Sequence, residues 1–374
     1  MNNERFHVTY RIKADEKTAH TAAKIICLEQ TVELSEHLVK DDYIKENIIG
    51  KIEHFIFISE NLFEANISYN VETTGFELLQ LLNVIFGNTS IKPNIQVYDI
   101  KLSDTLYQKF KGPRFGIKKI RKILNIYEKP LLCSALKPMG KSAEEMASMA
   151  YAFAKGGVDI IKDDHGLSNQ SFCLFEDRVK ACSDAVKKAN RETGKNCLYA
   201  PHITGRYETV FERAFFAIEN EAGALLISPG LCGFDTMLAL SEDMRIDVPL
   251  ISHPSFLGGM LTSPHSGFTH KILLGKMQRL AGADASIFPN YGGRFSFSRE
   301  ECESIKNGCT EFMGNFTSIF PMPGGGMNEE RIPDMIDLYG HDVIFLMGGA
   351  LFNNTLNISE YCKHILIKMG RANE

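Results

Sequence analysis

The stretch Val158-Asp159-Ile160-Ile161-Lys162-Asp163-Asp164-His165 sets a short apolar run directly against four ionisable residues. An apolar run of this length reads as a buried strand, and its polar tail as the point where the strand leaves the core. The same unit recurs on either side. Upstream, residues 131–136 end on Lys137. Downstream, 197–200 is followed by His202, 224–227 by Ser228 and 248–251 by His253. Residues 285–288 lead to Asn290 and Gly292-Gly293-Arg294, 317–320 to Pro321 through Gly326, and 343–347 to Gly348-Gly349. Helical periodicity fills the gaps, as in 143–154, 175–191, 209–220, 270–280 and 328–338. Eight strands alternating with helices close into a parallel (β/α)8 TIM barrel, and eight repeats argue against the competing open, doubly wound sheet.

The N-terminal part reads differently. Strand-like runs at 6–12, 55–58 and 95–100 mix with helical segments near 15–28 and 75–86, which predicts a smaller α+β domain of ferredoxin-like type. Lys111-Gly112-Pro113-Arg114-Phe115-Gly116 is turn-rich, so the expected domains are 1–112 and a barrel over 113–374. The 374 residues suit that division, because a barrel alone takes roughly 250. The alternating strands and helices make the class α/β, 44% hydrophobic and 23% charged residues are the balance of a globular protein, and a net charge of −5 gives no reason to expect nucleic acid. Nine cysteines without a CxxC pair or framework spacing fit a reducing cytoplasm, and no apolar run is long enough for a membrane span.

In a barrel every strand end opens on one face, where the active site forms. Lys162 and Asp164 alternate along their strand and so share a side. A carboxylate oxygen suits Mg2+, whereas an ammonium repels it unless deprotonated or modified; a plain Lys–Asp ion pair is the competing reading. His202 and His253 each follow a strand and can serve acid–base chemistry or substrate binding. Gly324, Gly325 and Gly326 after the seventh strand, and Gly348 and Gly349 after the eighth, offer bare amides where barrels commonly bind phosphate.

Three stretches resemble successive signatures of the RuBisCO large-subunit superfamily: Phe110-Lys111-Gly112-Pro113-Arg114-Phe115-Gly116-Ile117, Lys129-Pro130-Leu131-Leu132 through Leu136-Lys137-Pro138, and Gly156-Gly157-Val158-Asp159-Ile160-Ile161-Lys162-Asp163-Asp164. The likeness continues through Asn169-Gln170, Thr204-Gly205, His253 and both glycine clusters, and it points to the non-carboxylating, RuBisCO-like (type IV) branch. The resemblance implies that Lys162 is a carbamylated lysine, with Asp164 beside it as a Mg2+ ligand and His165 in the place of the third ligand, normally glutamate. It implies proton transfer by Lys137, substrate binding by His253, and phosphate held by the glycines. Arg294 falls where a mobile lysine would be, and Glu29 where a partner subunit supplies a glutamate, so a homodimer with shared active sites is expected. Met139, Ile287 and Gly324 stand in place of an active-site lysine, a histidine and a phosphate-binding serine. Without the two lysines, CO2 fixation is not expected.

What the resemblance leaves is formation of a Mg2+-stabilised enediolate from a phosphorylated keto sugar or keto sugar acid. The first expectation is decarboxylation or transcarboxylation of the 3-oxo-isoapionate 4-phosphate type. The alternatives are 5-methylthioribulose-1-phosphate isomerase, diketo-methylthiopentyl-phosphate enolase, or a retired member with a binding or regulatory role.

Overall fold

Buried and half-exposed side chains alternate along Arg5–Lys13, with Phe6, Val8, Tyr10 and Ile12 facing inward, which makes this run a half-buried strand (β1). The computed structural model describes residues 4–295, 297–349 and 357–371. It divides into two compact units.

The first unit holds residues 1–111 together with 257–277 and 312–316. Its sheet contains β1, β2 (Lys51–Ser59), β3 (Leu62–Asn70) and β4 (Ile95–Lys101), in the order β4-β1-β3-β2 and antiparallel throughout. Helices Glu16–Glu29 and Leu78–Phe86 complete the βαββαβ arrangement expected of a ferredoxin-like domain. The third strand, β3, carries Glu64, Asn66 and Ser68 on one face and Phe63, Ala65, Ile67 and Tyr69 on the other, an alternation the sequence reading passed over. Residues 257–277, expected in the barrel, belong to this unit because Gly267–Phe268 pairs in parallel with Gln96–Val97 at the sheet edge.

The second unit is the barrel. Its strands are β5 (Leu131–Leu136), β6 (Ile160–Asp163), β7 (Leu198–Ala200), β8 (Leu225–Ile227), β9 (Leu250–Ser252), β11 (Ala285–Pro289), β12 (Phe320–Gly324) and β13 (Ile344–Leu346), where Gly267–Phe268 of the first unit is β10. They follow one another as β7-β6-β5-β13-β12-β11-β9-β8, all parallel, and bonds from Ala224 N to Tyr199 O and from Leu226 N to Pro201 O close the ring. β12 starts three residues later than the apolar run 317–320 suggested. It includes Pro321 and Pro323, which have no N–H to donate, and its register with β13 reduces to Gly324 opposite Leu346.

Alternate residues fill the interior: Leu131 and Cys133 of β5, Ile160 of β6, Leu198 and Ala200 of β7, Leu226 of β8, Ile251 of β9 and Ile287 of β11. Ile117, Ile120 and Leu124 of helix Gly116–Leu124 pack against them. Each fully buried Leu or Ile among them contributes roughly 1.5–3 kcal/mol. Among the described residues no helix is long and apolar enough to cross a membrane.

Candidate active site

The parity that buries Cys133 and Ile160 decides what faces the mouth. Two and four residues on from Cys133 come Ala135 and Lys137, and two and four on from Ile160 come Lys162 and Asp164. By the same count Ala200 leads to His202, Leu226 to Ser228, Ile251 to His253 and Leu346 to Gly348. Lys162 is 2% exposed and donates from Nζ to Asp163 O at 3.0 Å. Burial lowers the Lys162 amine, with Lys137 adding to the effect and Cys133, Asp164 and Asp163 opposing it. Burial works to raise the Asp164 carboxyl, but the Gly166 amide and the charges of Lys162, His165 and Lys137 outweigh it and hold the carboxylate below its usual range. Lys137 Nζ lies 3.9 Å from Asp164 Oδ2. A methyl group placed on Gly348 would meet that nitrogen at 2.9 Å, so the lysine passes directly over the glycine.

His165 stacks on His253 with ring centroids 4.4 Å apart and 13° between planes, and its Nδ1 lies 3.4 Å from Asp164 Oδ1. Ser255 N donates to His253 Nδ1 at 3.2 Å, so the neutral His253 ring carries its proton on Nε2. Burial lowers both rings. For His165 the Asp164 charge opposes burial; for His253 the nearby Lys162 charge adds to it. His202 is pushed down to about 4, first by burial; its Nδ1 faces Leu167 O at 2.9 Å and its Nε2 faces Ser228 Oγ at 3.3 Å.

The glycines divide into two kinds. Gly324 is the last residue of β12, and a Cβ there would strike Leu346 at 2.9 Å, so its smallness serves strand packing. Gly325 and Gly326 follow with φ of 79° and 94°, a backbone that side chains disfavour. A Cβ on Gly293 would sit 2.0 Å from Gly325 O, and one on Gly326 would sit 2.6 Å from Gly293 Cα, so the turns after β11 and β12 meet backbone to backbone. Gly348 and Gly349 follow β13, and residues 350–356, through which they were expected to enter the last helix, lie outside the described residues. Arg294 is exposed, and its charge helps lower His165. Glu29 belongs to the first unit, at the end of helix Glu16–Glu29, where Asn88 Nδ2 donates to it at 3.1 Å and Lys92 lies 3.7 Å away.

Among the described residues no three His, Cys, Asp or Glu side chains gather as a metal cluster. The donors at the mouth are therefore Asp164, His165 and Lys162. A buried lysine amine with lowered basicity is the form that takes up CO2, and the resulting carbamate would add the hard oxygens that Mg2+ takes. With that modification the set fits a divalent cation, although the imidazole is a softer donor than Mg2+ usually accepts.

Sequence reading missed Arg178. It lies on helix Phe175–Thr193 beside Phe175, Val179 and Cys182 and is wholly buried. A charge on an apolar helical face was the available signal, since a buried arginine requires a carboxylate.

Residues 116–292 match the family of the ribulose bisphosphate carboxylase large chain, catalytic domain. Over 358 residues, 96% of the chain and 94% of the relative, it is 35% identical to the 5-methylthioribulose-1-phosphate isomerase of Rhodospirillum rubrum. It is also 35% identical over 289 residues, 77% of the chain and 71% of the relative, to the 2,3-diketo-5-methylthiopentyl-1-phosphate enolase of Bacillus pumilus. The crystal structure of a Rubisco-like protein from Rhodopseudomonas palustris superposes with a TM-score of 0.89 at 32% identity, covering 99% of each chain.

Proposed function

The chain belongs to the ribulose bisphosphate carboxylase large-chain family as one of its non-carboxylating, RuBisCO-like members, and from that premise we propose that it isomerises a phosphorylated ketose of the 5-methylthioribulose 1-phosphate kind. The position of Lys137 carries this reading, with its nitrogen over Gly348 and 3.9 Å from Asp164. The C–H bond beside the substrate carbonyl breaks, its proton passes to Lys137 Nζ, and the electron pair forms the enediolate. Return of a proton to the other enediolate carbon, with the remaining hydroxyl proton passing to the former carbonyl oxygen, completes the isomerisation. His253 Nε2–H donates to a substrate oxygen, and the Gly325, Gly326, Gly348 and Gly349 amides receive the phosphate. Lys162 as its carbamate, Asp164 and His165 would hold Mg2+, whose chemistry when bound is polarisation of the carbonyl. Arg294 closes over the substrate anion. Glu29 completes the mouth of a partner's barrel in a homodimer, an isologous arrangement that gives two shared sites.

Incubation with 5-methylthioribulose 1-phosphate in D2O tests the reading: an isomeric ketose carrying deuterium is expected. The enolase relative favours a second substrate, a diketo-pentyl phosphate, which the same proton transfer would enolise. Decarboxylation of 3-oxo-isoapionate 4-phosphate, the first expectation from the sequence, leads to the same kind of enediolate, but the named relatives favour proton transfer. Release of CO2 from a phosphorylated keto sugar acid, with no turnover of the methylthio ketose, would overturn the isomerase reading.

A further inference from the structure

Strand β6 carries one device at both ends. Asp159, the residue just before β6, and Asp163, its last residue, lie four apart on the outward parity, and each is a buried carboxylate paired with a buried arginine. At the start of the strand Arg371 reaches Asp159 through Nη1 at 2.5 Å and Nη2 at 2.9 Å, and Leu132 N donates to the same carboxylate at 2.7 Å. At the end, Asp163 accepts from Arg178 Nε at 2.9 Å, Tyr199 OH at 2.8 Å and His202 N at 3.1 Å.

The two pairs differ in what lies beyond them. The remaining nitrogens of Arg178 continue to Cys173 O at 3.0 Å and Ser168 O at 2.9 Å, both in the loop that begins with Asp164 and His165. That loop is tied within itself by Gly166 N to Asp164 Oδ1 at 3.1 Å and by Gln170 Nε2 to Gly166 O at 2.8 Å. The Asp163 carbonyl meanwhile receives Lys162 Nζ. One carboxylate therefore links the strand bearing Lys162, the loop bearing Asp164 and His165, and the chain at His202. A buried ion pair is a weak source of stability, since apolar residues of the same volume often serve as well, so its multiple anchors at this end call for another role.

On the functional reading above, we propose that Asp163 and Arg178 are positioning residues that hold Lys162, Asp164 and His165 in the arrangement a divalent cation requires. Groups that orient ligands in this way typically change metal affinity ten- to a hundredfold when altered.

The Asp159–Arg371 pair is a matched control, with the same chemistry just before the strand, away from the mouth. The full chain is compared as wild type, Arg178→Lys and Arg371→Lys, each keeping its charge but losing the guanidinium fork. Mn2+ binding is titrated calorimetrically, thermal melting is recorded, and hydrogen exchange is followed at the amides of 164–173. Comparable melting losses in the two variants, with Mn2+ affinity about tenfold or more weaker only in Arg178→Lys, support the proposal. Equal Mn2+ affinity in the two variants overturns it. Tyr199→Phe removes one bond to Asp163 and guards against misfolding of Arg178→Lys. A folded Tyr199→Phe protein with weakened Mn2+ binding supports the proposal, and unchanged binding in it counts against it. If the wild type takes up no Mn2+, the metal part of the functional reading fails by itself. Faster exchange confined to 164–173 in Arg178→Lys then still upholds the positioning role, and unchanged exchange overturns it.

Discussion

The imidazoles of His165 and His253 lie face to face, 4.4 Å between centroids and 13° from parallel. Two protonated rings at that distance would repel, and burial already disfavours charge on either. Both are therefore held neutral below the ordinary histidine range. Followed by NMR, the ring resonances of both histidines are expected to titrate below pH 6.5. A ring whose own midpoint lies at or above pH 6.5 would overturn this.

Lys137 is the proton carrier in this reading. Lys137→Met is expected to lower kcat about a hundredfold or more while substrate affinity is largely kept. Deuterium incorporation from solvent is the direct measure. Exchange at the wild-type rate in the variant would move the role to another residue.

Gly348→Ala tests the approach of that lysine without touching its chemistry. The added methyl would lie 2.9 Å from Lys137 Nζ and 3.0 Å from Cε, so the flexible end must shift. A displacement of about 1 Å at a reacting group can cost up to a hundredfold, and a loss of at least about tenfold in kcat is expected. The melting temperature is expected to stay unchanged, because the atom displaced is a side-chain terminus and not backbone.

His202 ties stability to pH. Its folded value of about 4 lies below the ordinary 6.5, so the fold prefers the neutral ring. The stability this contributes is whole above pH 6.5 and is lost as pH falls toward and through 4. The total is about 3 kcal/mol. His202→Asn keeps a donor for Leu167 O and removes the titration. Urea denaturation at pH 7 and pH 4.5 is expected to show a smaller acid loss in the variant than in the wild type.

Shared sites have a stoichiometric signature. Mixing refolded Glu29→Gln and Lys137→Met chains is expected to restore about a quarter of wild-type activity, because half the dimers are hybrids with one intact site each. No recovery would place Glu29 in its own chain's site, and a fully active Glu29→Gln protein would place it outside any site.

The barrel was legible in the sequence because its signal is local. Short apolar runs, each ending in an ionisable or glycine residue, mark strand and mouth together, and Lys137, Lys162, Asp164 and His253 all stand at those ends. β3 was legible in its alternation and was passed over, whereas the true start of β12 was not legible, since two prolines disguise a strand that pairing partners on both sides sustain. Only the tertiary structure stacked His165 on His253, laid Lys137 over Gly348 and gave Asp163 its arginine. Residues 88 or 211 positions apart meet only because the barrel closes. Parity along one strand says that Asp163 faces away from Lys162, but the group waiting on that side comes from a helix whose rotation is set by packing. The sequence by itself determined which residues reach the mouth. Which of them touch, and with what charge, was decided by closure of the ring and by burial.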